Sequence, residues 1–217
     1  MATPEGNLTG RVVVVTGASR GVGRGIALEL GTAGATVYGT GRSTRGGPTT
    51  DQLAGTIDQT AAEVTERGGV GIAVRCDHTR DEDVTALFER VQQEQGRLDV
   101  LVNNVWGGYE QHDMQQFLAP FWEQPLRYWP AMFESGVRAH YTASRGAARL
   151  MLPQQRGLII NISAGDGQKY RGNLLYDVAK AAVDRMAVGM AHELRPHSIA
   201  ALALYPGFVR TERVMAA

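Results

Sequence analysis

Apolar positions along this chain change spacing in a regular way, and the changes divide it into alternating strands and helices. Residues 12–15 are an unbroken β-branched run, Val-Val-Val-Val, without polar alternation. Such a run predicts a short strand buried on both faces, as in a parallel sheet. A helix is expected over 22–33, with Ile26, Ala27 and Leu30 on its inner face. The pattern then predicts strands over 36–40, 71–75, 98–103, 158–162 and 199–204, and helices over 51–66, 81–95, 128–151 and 175–194. The 81–95 helix is the clearest, because Val84, Leu87, Phe88 and Val91 fall at i, i+3, i+4 and i+7. Gly68-Gly69 stops the helix before it, and Pro130 must lie in the first turn of the 128–151 helix. Residues 105–125 form an unusually long connection. Buried strands alternating strictly with amphipathic helices imply right-handed crossovers and a doubly wound parallel α/β sheet.

Length and charge narrow the picture. The 217 residues suffice for one α/β domain with a large core. Basic and acidic residues balance at 22 each with no Lys/Arg run, so no nucleic-acid partner is expected. No apolar stretch approaches the ~20 residues of a membrane span, and residues 1–9 lack the basic flank and apolar run of a signal peptide. Cys76 is the only cysteine, which excludes an intrachain disulfide and fits a reducing cytoplasm. His112, His140, His192 and His197 show no ligand spacing, so no metal site is expected.

The chemistry begins where the first strand turns into the first helix, at Thr16-Gly17-Ala18-Ser19-Arg20-Gly21-Val22-Gly23. Glycines at 17, 21 and 23 let the backbone pass close to a pyrophosphate, which the helix N-terminal amides can bind. The spacing is G-x-x-x-G-x-G, not G-x-G-x-x-G. The second strand ends Tyr38-Gly39-Thr40-Gly41-Arg42-Ser43, with no acid to accept from a ribose 2′-hydroxyl. Arg42, with Arg20 in the glycine turn, instead suits a 2′-phosphate. The expected cofactor is therefore NADP(H) over NAD(H); a solvated Arg42 is the bland alternative. Asp77, after the third strand, either accepts from the adenine amine or caps a turn. Asn103, at the end of the fourth strand, either contacts the cofactor with Asn104 or braces the sheet.

Tyr176 and Lys180 are four residues apart, so on a helix they share a face. A lysine ammonium nearby favours a phenolate and lowers the tyrosine pKa from its ordinary value of about 10. Such a tyrosine can donate a proton to a carbonyl oxygen as hydride reaches the carbon, or run the reverse. The pair falls on the helix after strand five, beside the carboxyl ends of the strands, where doubly wound folds bind ligands.

Taken together, Thr16-Gly17 with Gly21-Val22-Gly23, Asp77, Asn103-Asn104, Ser163, Tyr176 with Lys180, and Tyr205-Pro206-Gly207-Phe208-Val209-Arg210-Thr211 resemble the short-chain dehydrogenase/reductase family. The resemblance covers nearly the whole chain. Within the family, residues 121–123 and 137–141 resemble the dehydrogenase/reductase member 1 group. The resemblance implies a single Rossmann-type domain and an NAD(P)-dependent enzyme. It also implies that Lys180 holds the nicotinamide ribose, that Pro206, Gly207, Val209 and Thr211 lie by the carboxamide, and that the protein forms a homodimer or homotetramer.

Three departures from the family pattern stand out. Asn103-Asn104 continue as Val105-Trp106 rather than Ala-Gly, which places bulk near the pocket mouth. The helix asparagine that many members use to hold a relay water is Gly136 here, so water or Ser135 is expected to substitute. The catalytic serine is either Ser163, 13 residues before Tyr176, or its function has fallen on Ala164; Ser163 is the preferred candidate. The family's substrate loop and seventh strand have no counterpart in residues 208–217, so the sheet is expected to lack its last strand. Trp106, Trp122 and Trp129, with Tyr109, Phe117, Phe121 and Tyr128, fall in or beside the long connection. They form either an apolar wall over the nicotinamide or loop packing and an interface. The expected activity is NADPH-dependent reduction of an apolar ketone or aldehyde, or the reverse oxidation of an alcohol. A keto-acyl thioester reductase and a non-catalytic NADP(H)-binding regulator are the alternatives.

Overall fold

The computed structural model describes residues 7–110, 113–164 and 169–216. His112, read above as lacking ligand spacing, lies outside them, as does most of the N-terminal segment. Among the described residues, six strands form one parallel sheet in the order 3-2-1-4-5-6. The chain runs β1 (Val12–Thr16), α1 (Gly21–Thr32), β2 (Thr36–Gly41), α2 (Ile57–Glu66), β3 (Val70–Arg75), α3 (Asp81–Gln95) and β4 (Val100–Asn103). It continues through two short helices, α4 (Met114–Leu118) and α5 (Tyr128–Met132), then a π-helical turn (Phe133–Arg138) that leads into α6 (Ala139–Gln154). The remainder is β5 (Gly157–Ile162), α7 (Leu174–Leu194), β6 (Ile199–Leu204) and α8 (Glu212–Ala216).

The β1 valines show why the run has no polar alternation. Val12 and Val14 pack into the core under α3 and α6, with Leu87, Phe88, Ala143 and Ala147. Val13 and Val15 face the opposite side, against Ala27 and Leu28 of α1 and Val64 of α2. All β1 side chains are buried, because helices cover both faces of the sheet.

Two helices differ from their predicted form. The 51–66 helix begins only at Ile57: a 3₁₀ turn at Thr50–Gln52 precedes it, and the Thr56 hydroxyl caps it by accepting from Gln59 N at 3.1 Å. The 128–151 helix is not continuous either. Pro130 does sit in the first turn, but residues 133–138 widen into π-helix before α6 begins.

The sheet's centre is the region least able to absorb a void. Leu101 is fully buried and pairs with Val14 on one side and Ile159 on the other. Leu101→Ala is expected to destabilise the fold by about 3 kcal/mol, read as a lowered urea midpoint with an unchanged slope.

Candidate functional site

The strand order reverses between β1 and β4, because β1 connects outward to β2 while β4 continues to β5 on its other side. Side chains at the carboxyl ends of these strands border a cavity of about 260 Å³. Gly17, Ser19, Arg20, Gly21 and Val22 supply one wall. Gly17 and Gly21 have left-handed φ of 68° and 60°, which favours glycine at both. A Cβ at Gly23 would collide with the Gly17 carbonyl and the Asn104 amide, so the first turn of α1 packs against the loop only without a side chain there.

The amide of Gly21, at the start of α1, donates to the carboxylate of Glu212 at 2.7 Å. This carboxylate stands where the helix N-terminus favours an anion. The residues therefore fit a dinucleotide phosphate: a glycine loop without side-chain obstruction leads into a helix end that already holds an oxyanion.

The predicted adenine-side residues take different roles. Arg42 lines the cavity and pairs with Glu110. The Arg20 guanidinium, expected to share a phosphate with Arg42, is engaged elsewhere. It donates to the Ala54 carbonyl at 3.0 Å, the Gly55 carbonyl at 3.0 Å and Ser43 Oγ at 3.0 Å, and so clamps the loop before α2. Asp77 borders the cavity but also closes a turn, accepting from Thr79 N at 3.1 Å and Thr79 Oγ1 at 2.8 Å. Burial opposes its charge, yet the Thr79 bonds and Arg42 hold it below the usual aspartate value. Asn103 is fully buried and braces β4, donating to Ser144 Oγ at 2.8 Å and to Asn161 Oδ1 at 2.9 Å. Its neighbour Asn104 reaches the cavity instead, donating to the Thr16 and Gly17 carbonyls. Of the late segment, Thr211, Glu212 and Arg213 border the cavity, and Pro206, Gly207 and Val209 do not.

Tyr176 and Lys180 lie on the first two turns of α7. Asn173 caps this helix by accepting from Tyr176 N at 2.8 Å, while its amide donates to the Phe117 carbonyl at 2.7 Å. That residue carried no signal in the sequence beyond its place at a helix start. Ser163 is buried at the end of β5, and its hydroxyl donates to the Lys180 carbonyl at a long 3.4 Å. None of these three residues borders the cavity; Trp106 and Tyr109 do, and both pack against Tyr176.

Electrostatics around the pair differ from the expectation. Burial pushes the Tyr176 phenol above its ordinary value, with a hydrogen bond to Tyr109 and the charge of Arg171 opposing it. The Lys180 ammonium, expected to pull the phenol down, stands 3.9 Å over the Trp106 ring and 5.8 Å from the centre of the Tyr176 ring. The space beside Gly136 is taken by an aromatic ring. The Trp106 indole fills it: a Cβ on Gly136 would lie 2.6 Å from Cζ3 of the ring.

Burial pushes Lys180 down to about 8 from 10.5, with Asp184 pulling the other way. Tyr176 and His140 are its other titratable neighbours. Below about 8 both folded and unfolded chains carry the proton, and the cost of the buried charge is fully present. Between about 8 and 10.5 the unfolded chain binds more protons than the folded one, so stability rises with pH in that window. A Lys180→Met variant lacks this contribution. Its stability advantage over wild type is expected to shrink as urea midpoints are compared from pH ~7 to pH ~10; an advantage constant with pH would contradict the shift.

Comparison with known proteins agrees with this architecture. Residues 11–217 match the family profile of the short chain dehydrogenases. The chain is 46% identical over 208 residues to mouse dehydrogenase/reductase SDR family member 1, covering 95% of this chain and 63% of the mouse protein. It is 32% identical over 207 residues to a 3-oxoacyl-(acyl-carrier-protein) reductase of Pseudomonas aeruginosa, covering 95% of this chain and 76% of that protein. The crystal structure of a metagenomic short-chain oxidoreductase in complex with NADP superimposes with a TM-score of 0.79 at 32% identity, covering 94% of this chain and 85% of that one. The chain belongs to the short-chain dehydrogenase/reductase family, and it spans under two thirds of the length of the mouse relative.

Proposed function

We propose that this protein is an NADPH-dependent carbonyl reductase acting on an apolar ketone or aldehyde, or on the corresponding alcohol in reverse. The observation that carries this reading is the placement of Tyr176 and Lys180 on one face of α7, one helical turn apart, with Lys180 buried. When bound, NADPH supplies the hydride. Gly17, Ser19, Gly21, Val22 and Asn104 would hold its phosphates, and Arg42 its 2′-phosphate. Arg42 borders the cavity and pairs there with the Glu110 carboxylate, which a 2′-phosphate would have to displace. Tyr176 donates the proton to the carbonyl oxygen, and the cationic Lys180 stabilises the phenolate left behind. Ser163 is the candidate to orient the carbonyl. Phe117, Tyr128 and Met132 pack with Tyr176 and Leu175 into an apolar cluster beside the pair, which supports an apolar substrate.

A keto-acyl thioester is the alternative substrate class, favoured by the 32% identity to a protein named for 3-oxoacyl reduction. A non-catalytic NADP(H)-binding regulator is favoured by a different observation: Trp106 and Tyr109, not the catalytic pair, border the cavity. Association as a homodimer or homotetramer is part of the proposal. It is supported by a groove of about 710 Å³ between α3 and α6, lined in part by Val84, Phe88 and Tyr141. A cytoplasmic location is supported by the single, buried, free Cys76. No helix among the described residues is long and apolar enough to cross a membrane.

The test is NADPH consumption against a panel of apolar ketones, aldehydes, quinones and acyl thioesters. Tyr176→Phe is expected to lower kcat by about 100-fold or more while NADPH still binds. Binding without consumption by wild type would favour the regulator. Arg42→Asp is expected to weaken NADPH binding roughly tenfold or more and to leave NADH binding unchanged, as measured by nucleotide titration; equal effects on both would remove Arg42 from 2′-phosphate recognition.

A further inference from the structure

Two departures from the family pattern, far apart in sequence, meet at one point. Trp106 follows β4, and Gly136 lies in the π-helical turn before α6. The indole edge occupies the volume that any side chain at 136 would need: a Cβ there would sit 2.6 Å from Cζ3 and 2.7 Å from Cε3. Real Cβ atoms essentially never approach so closely, so the ring in this position goes with a glycine at 136.

The ring is fixed from several sides. His140, buried in α6, donates from Nε2 to the Val105 carbonyl at 3.0 Å and so pins the residue before the tryptophan. Burial and the charge of Lys180 hold this histidine neutral, with a pKa near 3. On another side the indole meets the Tyr176 ring edge-to-face at 5.4 Å between centroids. Its face receives the Lys180 ammonium at 3.9 Å, well inside the ~6 Å range of a cation–π contact. Trp106 Nε1 is buried and has no hydrogen-bond partner among the described residues. The ring is therefore not held here by its N–H; its edge and its face make the contacts.

We infer that Trp106 is a positioning residue for Lys180: its indole face holds the ammonium beside Tyr176, 5.8 Å from the centre of that ring, in a slot that residue 136 leaves open because it is glycine. A buried ammonium needs a compensating partner, and the π-face supplies one without adding a negative charge. Asp184 also acts on the ammonium from the same helix, and the indole adds a second partner that carries no net charge. The contact stands independently of the proposed activity; only its consequence for turnover rests on that reading.

The chain has just two lysines, the exposed Lys169 and the buried Lys180, so Nζ-adjacent methylenes can be resolved by NMR with ¹³C-labelled lysine. In wild type the Lys180 methylene is expected clearly upfield of that of Lys169, because it lies over the indole, and to remain so when NADP⁺ is added. Trp106→Leu, which keeps an apolar filler but removes the π-face, should abolish the displacement. Trp106→Phe should retain part of it. Gly136→Ala, which pushes the ring aside, should abolish it as well. Trp106→Leu/Gly136→Ala should be no less thermally stable than Trp106→Leu alone.

With phenanthrenequinone as carbonyl probe, Trp106→Leu is expected to lose on the order of 30-fold in kcat at unchanged NADPH affinity, and Trp106→Phe to recover most of that loss. Equal activity of the Leu and Phe variants would reduce Trp106 to a space-filler. Coincident lysine resonances in wild type, or a displacement that vanishes on NADP⁺ binding, would overturn the inference outright. If wild type consumes no NADPH with the probe or the wider panel, the functional proposal fails, and the NMR comparison still decides the role of Trp106.

Discussion

The arrangement of this site depends on the crevice where β1 and β4 lie side by side and their following segments diverge. Six parallel strands bring all their carboxyl ends to one edge, and the order 3-2-1-4-5-6 sends the chain away from this crevice in both directions. The crevice is held by hydrogen bonds between side chains and backbone. The Thr16 hydroxyl accepts from Asn104 N at 2.9 Å and Val105 N at 3.2 Å, while the Asn104 amide donates to the Thr16 and Gly17 carbonyls. These bonds fix the glycine loop relative to Trp106, and Trp106 in turn relates the cavity to the proton-bearing pair on α7.

Around that crevice, polar side chains are divided between holding the scaffold and facing the cavity. Asn103, Asn161 and Ser144 form a buried network joining β4, β5 and α6, and Arg20 ties down the loop before α2. Asn104, Arg42, Asp77 and Glu110 are left bordering the cavity. A buried amide is costly without partners, so Asn103 is committed to the core, whereas Asn104, one residue further at the strand end, faces the opening. Neighbouring residues of the same type thus acquire different work, because Asn103 ends the strand in the core and Asn104 begins the loop at the cavity.

Glycine at position 136, where the family resemblance implies a relay asparagine, looks like a loss when the position is viewed alone. In three dimensions the space beside that glycine is taken by an aromatic ring from the strand-four loop. The π-helical turn at Phe133–Arg138 contains the glycine, and the ring edge lies against it. The same ring that fills the slot reaches Lys180, so a packing change and an electrostatic one are linked through a single side chain.

Much of this was legible in the sequence. The unbroken valine run required a strand covered on both faces, the 3.6-residue apolar spacing required α3, and the glycines at 17, 21 and 23 required a close backbone turn. The Tyr176–Lys180 interval placed both on one helical face. These readings succeed because they depend on local geometry, which the order of residues dictates directly. What only the tertiary structure decided were the encounters between distant segments: Arg20 with the carbonyls at 53–55, Glu212 with the Gly21 amide, and Trp106 with Gly136 and Lys180. Such contacts leave no periodic trace, since they join residues from about 30 to 190 positions apart, and burial and packing choose among partners that the chain makes equally available.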